Sequence, residues 1–396
     1  MRFLKTTVPT LLLAAAALCG AVEVGAKSAA VFDAATGRML WGKDPDTPRY
    51  PASTTKILTG LLIAERCSPD EVIVAPPDTE TVTGSSMHLR PGERVSARHL
   101  LAAILLRSAN DGCHAAAVHL AGSDAAFAQL MNERARQIGC TNSNFNNPHG
   151  LNDKNHTTTA RDLGRIACEA MRNEWFAETV RQRKWLLERP ANQEDLWLFN
   201  KNKLLATDPT VDGVKTGYTT EAGHCFVGSA TRAGVRVVTV VLDSPDWKKD
   251  TRNLLEWAFR THSERTVVRK GAPAPPVRVE GGVEPAVPTV ASESLRMLVP
   301  HGTQPELRAT LIPLRGAKAP VRAGQTVAAV KFEDGKGWSA TVPLVAAADV
   351  PRATLAQRAT RRPLLLVAAC GVPIAWVFAR RKASKSRRRR HVGPRW

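Results

Sequence analysis

Ser53 and Lys56 stand three residues apart in Pro51-Ala52-Ser53-Thr54-Thr55-Lys56, just ahead of the apolar positions Ile57, Leu58, Leu61, Leu62 and Ile63. On a helix, side chains at this spacing are neighbours, with Cβ atoms roughly 5–6 Å apart. A serine hydroxyl is a weak nucleophile until a base takes its proton. A lysine amine can be that base when burial or another cation lowers its pKa toward neutrality. One turn of helix would therefore deliver nucleophile and base together. The tetrapeptide by itself reads more readily as a helix N-terminus capped by Ser53 or Thr54.

Two further triplets change that balance. Ser108-Ala109-Asn110 and Lys215-Thr216-Gly217 follow in order along the chain. S-x-x-K, a serine–asparagine triplet and K-T-G form a known signature of class A β-lactamases and penicillin-binding proteins. Acyl transfer needs a nucleophile, a base, a proton relay and donors for the oxyanion. Ser53, Lys56 and Ser108 are the expected catalytic residues: nucleophile, base and relay to the leaving amine. Asn110, Lys215, Thr216, Gly217 and Tyr218 are the expected substrate-binding residues. Asn110 would hold a substrate amide and a lysine. Lys215 would keep Lys56 neutral and, with Thr216, bind a terminal carboxylate. Gly217 would let substrate lie along a strand edge. The backbone N–H groups of Ser53 and Tyr218 are the candidates for the oxyanion hole.

These residues need elements to hold them. Lys27 to Lys43 reads as a hairpin turning at Ala34–Gly37, and a helix should run from Ser53 to about Cys67. Val72 to Thr83 is a short β-type region. Leu100 to Leu106 belongs to an apolar helix that runs into Ser108, and another spans about Gly112 to Leu120. Ser123-Asp124 and Thr159 are N-caps of two more, ending near Gly139 and Met171. An asparagine-rich loop joins them from Asn142 to Asn155. Val211–Tyr218 reads as a strand, Cys225–Ala230 and Val235–Leu242 as a hairpin, and Asp250–Phe259 as a last helix. Helices between strands predict an α+β body with helices on an antiparallel sheet. After Thr261 the texture becomes Pro- and Gly-rich, with short strand-like runs and no helical period. Residues 263–350 are expected to form a small all-β domain.

The chain has 396 residues and a net charge of +19. Thirteen of those positive charges lie after Pro351 with no acid among them, and the first 26 residues carry a net +1, so residues 27–350 hold only +5. The excess is a tail and argues against a nucleic-acid partner. Residues 1–26 read as a signal peptide, with a basic start, an apolar stretch from Leu11 to Val22 and cleavage expected after Ala26. Residues 27–262 would be the catalytic domain and 351–362 a linker. Residues 363–379 are uncharged and at the short limit for a membrane span; residues 380–396 form a basic tail on its cytoplasmic side. The catalytic domain would then face the periplasm or extracytoplasmic space from the inner membrane. Seven cysteines show no metal spacing; most read as buried thiols, with one disulfide possible. The histidines show no ligand spacing, so neither a metal nor a cofactor is expected.

From Ala29 to Thr261 the sequence resembles the low-molecular-mass penicillin-binding proteins, the serine-type D-Ala-D-Ala carboxypeptidases of peptidase family S11. The resemblance is carried by Tyr50-Pro51-Ala52-Ser53-Thr54-Thr55-Lys56, Leu106-Arg107-Ser108-Ala109-Asn110-Asp111, Asn147-Pro148-His149-Gly150-Leu151 and Val211-Asp212-Gly213-Val214-Lys215-Thr216-Gly217. It implies a β-lactamase-like transpeptidase fold, a following β domain and a C-terminal membrane attachment. It also implies removal of the terminal D-alanine from peptidoglycan stem pentapeptides, and acylation by β-lactam antibiotics. One departure stands out. The family's arginine ahead of the last helix is replaced by Asp246, with Lys248 or Arg252 as candidate substitutes.

Three other readings use the same residues: an endopeptidase cutting crosslinks, a class A-like β-lactamase and a non-catalytic peptidoglycan-binding module. The loop from Asn142 to Asn155 offers Asp153 and no glutamate to activate a deacylating water, which weighs against the β-lactamase. His149 is expected to fix its loop, Asp111 and Asp162 to be structural, Cys113 to pack beneath the site, and Trp175, Trp185 and Trp197 to be core.

Overall fold

The computed structural model describes residues 22–189, 196–314, 317–354 and 357. The apolar start before Val22 and the expected span and tail at 363–396 lie outside the described residues. Among the described residues no helix is long and apolar enough to cross a membrane.

In chain order, β1 (Ser28–Asp33) and β2 (Arg38–Lys43) form the expected hairpin. A short 3₁₀ turn, Ala52–Thr55, leads into α1 (Lys56–Arg66). Strands β3 (Val72–Val74) and β4 (Arg94–Ser96) pair, and α2 (Ala97–Ala102) continues into a π turn, Ala103–Arg107. Next come α3 (Asn110–Ala121), α4 (Asp124–Ile138), α5 (Ala160–Ala170) and α6 (Glu174–Val180). A second small hairpin joins β5 (Lys184–Leu186) to β6 (Trp197–Phe199). After α7 (Leu204–Thr207), the strands β7 (Val211–Thr219), β8 (Gly223–Arg232) and β9 (Val235–Ser244) complete the main sheet, and α8 (Trp247–Thr261) packs on it.

The main sheet is antiparallel with strand order β2-β1-β9-β8-β7. Its central strands are buried on both faces, which is why β9 reads as an apolar run, Val237–Leu242, broken only by the buried Thr239. Alternate residues feed two cores. Phe32, Val227, Val238 and Val240 face α1, α2 and α5 through residues such as Leu61, Leu101, Leu163 and Ile166. Val31, Phe226, Val237 and Val241 face Leu254, Leu255 and Trp257 of α8. Each fully buried aliphatic side chain contributes about 1.5–3 kcal/mol of transfer free energy. The helix ends follow their caps. The Ser123 hydroxyl accepts from Ala126 N, the Thr159 hydroxyl from Asp162 N, and the Asp246 carboxylate from Lys249 N.

The all-β expectation for the following region matches its architecture. It contains β10 (His262–Val268), β11 (Pro273–Arg278), β12 (Ala286–Ala291), β13 (Leu295–Pro300), β14 (Arg308–Pro313), β15 (Thr326–Glu333) and β16 (Ser339–Ala346). Five form a sheet in the order β11-β12-β16-β15-β14, and β10 pairs with β13. It is tied to the first hairpin. Leu298 N donates to the Asp33 carboxylate at 3.0 Å, Arg38 donates to Leu298 O and pairs with Asp334, and the Trp338 indole donates to Thr36 O. Burial raises the pKa of Asp33 despite these donors.

Ala26, the expected boundary, packs on the folded body. It is fully buried, and the Asp250 carboxylate accepts from both Gly25 N and Ala26 N at 2.8 Å. Val22 and Val24 pack on the α8 core. A boundary after Ala26 would cut through these contacts. Helices α3 and α8 begin earlier than expected, at Asn110 and Trp247. The β5–β6 hairpin was missed, because two three-residue strands leave too short an alternation to read. The disulfide left open does not form among the described residues: Cys67, Cys113, Cys140, Cys168 and Cys225 are all free and buried.

Candidate active site

The site lies where three segments meet: the turn before α1, the turn before α3 and the edge strand β7. Ser53 is half-buried, in the 3₁₀ turn; Lys56 is the first residue of α1 and is 0% exposed. Its Nζ donates to Ser53 Oγ at 3.1 Å, Asn110 Oδ1 at 2.7 Å and His149 O at 2.6 Å. A neutral lysine amine keeps two N–H donors and gains a lone pair. With Asn110 and His149 taking the two donors, the lone pair faces Ser53 Oγ. The arrangement can therefore move the Ser53 proton onto Nζ.

Burial holds the Lys56 ammonium down at about 8, with repulsion from Lys201 adding to it. Lys215 is also buried, and burial followed by the neighbouring Lys56 and Lys201 charges holds it well below its ordinary value. The expectation that Lys215 keeps Lys56 neutral is thus modified: desolvation comes first, and Lys201 is the cation beside both. Lys215 Nζ donates to Thr216 O at 2.9 Å.

Ser108 ends the π turn in a left-handed conformation, φ 73°. Backbone strain in a non-glycine residue is held only where surrounding structure insists on it, and π turns concentrate at functional sites. Its buried Oγ has no hydrogen-bond partner among the described residues, so that hydroxyl is available to an incoming group. Two residues on, Asn110 bridges the site. Besides accepting from Lys56, it donates through Nδ2 to Thr83 O and through its backbone N to Ser85 O, both at 2.7 Å. Cys113 lies beneath, its thiol pushed up to about 12 by burial. Asp111 accepts from Ser86 Oγ and from Met87 N and Leu89 N, which makes it structural as expected.

Gly217 has a reason beyond the one expected. A Cβ there would stand 3.0 Å from Pro51 O and Ser53 N and 3.1 Å from Thr54 N. The glycine lets β7 press against the nucleophile's own turn. Thr216 is half-buried, and Tyr218 is exposed and stacks on His224 with ring centroids 4.6 Å apart. As an edge strand, β7 leaves one row of backbone groups unpaired by the sheet.

The Asn142–Asn155 loop does more than the sequence suggested. Gly150, at φ 85°, lies so close to Ala52 O that a Cβ would overlap it. Pro148 O accepts from Thr59 Oγ1, and the Asn147 side chain accepts from His149 N and Gly150 N. Thr55 Oγ1 and His156 Nε2 lie 2.9 Å apart, and His156 Nδ1 accepts from Asn146 N. The loop clamps the turn and offers a carbonyl to Lys56. Burial drives the His149 and His156 imidazoles down to about 3 and about 4, so both are neutral.

Lys248 and Arg252, the candidate substitutes for the family's arginine, lie on α8 with partners of their own. Lys248 Nζ lies over the Trp247 ring, and Arg252 donates to Thr207, which precedes the Val211 end of β7. Asp246 is a helix cap. The residue that sequence reasoning missed is Lys201, whose Nζ donates to Ser85 Oγ at 2.8 Å; no motif marks it. Two groupings lie elsewhere. A cavity of about 690 Å³ is lined by Arg38, Arg134, Arg172, Asp334 and Trp338, and its arginines are engaged by Asp334, Glu65 and Glu169. Cys67, Glu71 and His119 bring potential ligand atoms within 4.8 Å of one another, at the opposite end of α1 from Lys56.

Comparison with known proteins follows the same division. A family model described as D-alanyl-D-alanine carboxypeptidase, Peptidase S11, matches residues 14–246. The chain belongs to the S11 peptidase family. A second model, penicillin-binding protein 5 C-terminal domain, matches residues 262–352 of this S11 chain. It is 29% identical to the D-alanyl-D-alanine carboxypeptidase DacF of Bacillus subtilis, over 83% of this chain and 86% of that protein. It is 30% identical to DacC of Escherichia coli, over 79% and 81%. Among solved structures it is similar to penicillin-binding protein 5 from Haemophilus influenzae, with TM-score 0.66 and 26% identity over 83% of this chain and 98% of that one. It is also similar to the Streptomyces K15 DD-transpeptidase, with TM-score 0.56 and 27% identity over 60% and 98%.

Proposed function

We infer that this S11 chain is a serine D-Ala-D-Ala carboxypeptidase that removes the terminal D-alanine from peptidoglycan stem pentapeptides and is acylated by β-lactams. The observation that carries the reading is the Lys56 amine, buried and held between Asn110 Oδ1 and His149 O with Ser53 Oγ as its third neighbour.

In the proposed reaction Ser53 Oγ attacks the carbonyl carbon of the penultimate D-alanine, and its proton passes to Lys56 Nζ. The oxyanion is met by the N–H groups of Ser53 and Tyr218. The C–N bond then breaks, and the proton travels from Lys56 through Ser108 Oγ to the leaving amine. Water hydrolyses the resulting ester and regenerates Ser53. Asn110 holds Lys56 and its loop in place. The substrate carboxylate docks at Lys215 and Thr216, and an arriving carboxylate favours the charged form of Lys215. Lys201 supplies the further cation in this cleft. Gly217 keeps β7 close enough to share the oxyanion site with Ser53.

Export and anchoring belong to the same reading. The apolar start would direct the catalytic domain across the membrane, and residues 363–379 with the basic tail would hold it there. Membrane fractionation of the intact protein and of a chain ending at Ala353 tests this: only the first should sediment with membranes.

Intact-mass measurement after incubation with penicillin should show one adduct on Ser53. Mass spectrometry of muropeptides should show loss of one terminal alanine. Release of crosslinked dimers as monomers would instead identify an endopeptidase. Absence of both adduct and cleavage would overturn the reading.

A further inference from the structure

We propose that the outward face of the β5–β6 hairpin is a subsite for the glycan end of the substrate. The apolar face of an N-acetylated amino sugar stacks on Trp197 and Phe199, and a stem-peptide carboxylate meets Lys201 on the way to Ser53. The proposal rests on the carboxypeptidase reading above and extends it from the scissile bond to the polymer carrying it.

The hairpin divides its residues by pairing. Lys184 lies opposite Phe199, Trp185 opposite Leu198 and Leu186 opposite Trp197. Trp185, Leu198 and Asn200 point inward. The Trp185 indole donates to His99 Nδ1 at 2.9 Å, Leu198 is fully buried, and Asn200 Nδ2 donates to Val180 O and Gln182 O. The hairpin is therefore fastened from beneath. The other row is exposed although it is apolar: Leu186 at 47%, Trp197 at 46% and Phe199 at 64%. This corrects the expectation that Trp197 is core.

An edge hairpin with one face docked should carry polar residues on the other. Three large apolar side chains left about half in water forgo part of the stabilisation that burial would give. Grouped exposure of this kind marks an interaction surface. Two flat rings on one strand face match the flat, C–H-lined face of a pyranose. The Trp197 ring is also held in place, with Lys184 Nζ 4.7 Å from its centroid.

Continuity with the cleft selects the occupant. Residues 197, 199 and 201 are all exposed, and Lys201, in the bend just past β6, is where this stretch reaches the site. Its backbone N donates to Leu106 O, and its Nζ donates to Ser85 Oγ, whose residue's carbonyl accepts from Asn110 N. The row thus runs from Asn110 through Ser85 and Lys201 to Phe199 and Trp197. A stem peptide with its D-alanyl end at Ser53 has its sugar at the other end, and its carboxylates are complementary to Lys201 and Lys184. Exposed Trp and Phe beside lysines also suit a membrane interface, but a membrane contact would not need this row to end at the cleft.

The test uses the full chain with Trp197→Ala and Phe199→Ala together, leaving Lys201 in place. Its kcat/KM on a disaccharide-pentapeptide should fall about tenfold, mainly through KM. Hydrolysis of a sugar-free acyl-D-Ala-D-Ala peptide and acylation by penicillin should not change. Trp197→Tyr should restore most of the loss. Equal losses on both substrates, or none on either, would overturn the subsite. So would a variant that loses binding to anionic phospholipid vesicles while keeping its preference for the disaccharide substrate. Calorimetric binding of the disaccharide-pentapeptide to Ser53→Ala, with and without the two aromatic substitutions, needs no turnover. It would reveal the subsite even if the carboxypeptidase reading failed, and unchanged binding would refute the subsite even if that reading stood.

Discussion

The body built on the main sheet and the β-rich region after Thr261 differ most in what they bury. The first hides Lys56, Lys215, Ser108, Asn110, Asp111, Asp162 and Asp250 alongside its apolar side chains. The second is packed with Val277, Val287, Val327, Phe332, Val342 and Leu344, and beyond His262 at its start, Thr289 is its one fully buried polar side chain among the described residues. Burying a charge is costly unless neighbours compensate. The comparison teaches that, among the described residues, the buried charged side chains of this S11 chain gather in one region, and that the other region is joined to it through Asp33, Arg38 and Trp338.

The strongest way to break that comparison is Ser53→Ala. It should lower penicillin acylation and D-alanine release by at least about 10³-fold, read by intact mass and by released amino acid, with the melting curve unchanged. Residual acylation at another residue would mean the chemistry is not confined to this turn. Lys56→Met should lower acylation by about 10²–10⁴-fold and lower thermal stability modestly, because Asn110 Oδ1 and His149 O lose their donor while a buried ammonium is removed. A variant that unfolds would show that Lys56 is a structural group first.

The pH profile sharpens the same point. Only the uncharged amine can accept the Ser53 proton. Since burial sets Lys56 at about 8, the acylation rate should rise about tenfold per pH unit below that value and level off above it. A flat profile from pH 6 to 9 would remove Lys56 as the base. Gly217→Ala should cost about 10–100-fold in acylation, since its Cβ would press on Pro51 O and Ser53 N; the measure is the acylation rate constant at saturating penicillin. The smallest effect on activity is expected in the other region. Leu344→Ala, in the core of β16, should destabilise it by about 2–5 kcal/mol by denaturant titration. Acylation should be unaffected in buffer where the fold persists. A parallel loss of activity would show that the two regions are coupled more tightly than their contacts suggest.

The chemistry was more legible in the sequence than its wiring. Ser53, Lys56, Ser108, Asn110 and Lys215 announce themselves by type and order, and long periodic elements such as α4 and β9 follow their caps and apolar runs. What the sequence hid depends on distant approach. That His149 contributes its carbonyl, or that Gly217 meets the Ser53 turn, follows from segments far apart in the chain. Lys201 has no motif to mark it. Trp197 was misread because its alternation extends over only three residues, too few to distinguish an outward from an inward row.

One detail of the lysine's surroundings shapes how such a site can drift through substitution. The third atom holding Lys56 belongs to the main chain at position 149. Every amino acid carries that oxygen, so exchanging the residue would keep this contact and lose only the imidazole Nδ1 that accepts from Leu151 N at 3.3 Å. The constraint falls instead on the next position, where Gly150 leaves no room for even a methyl group.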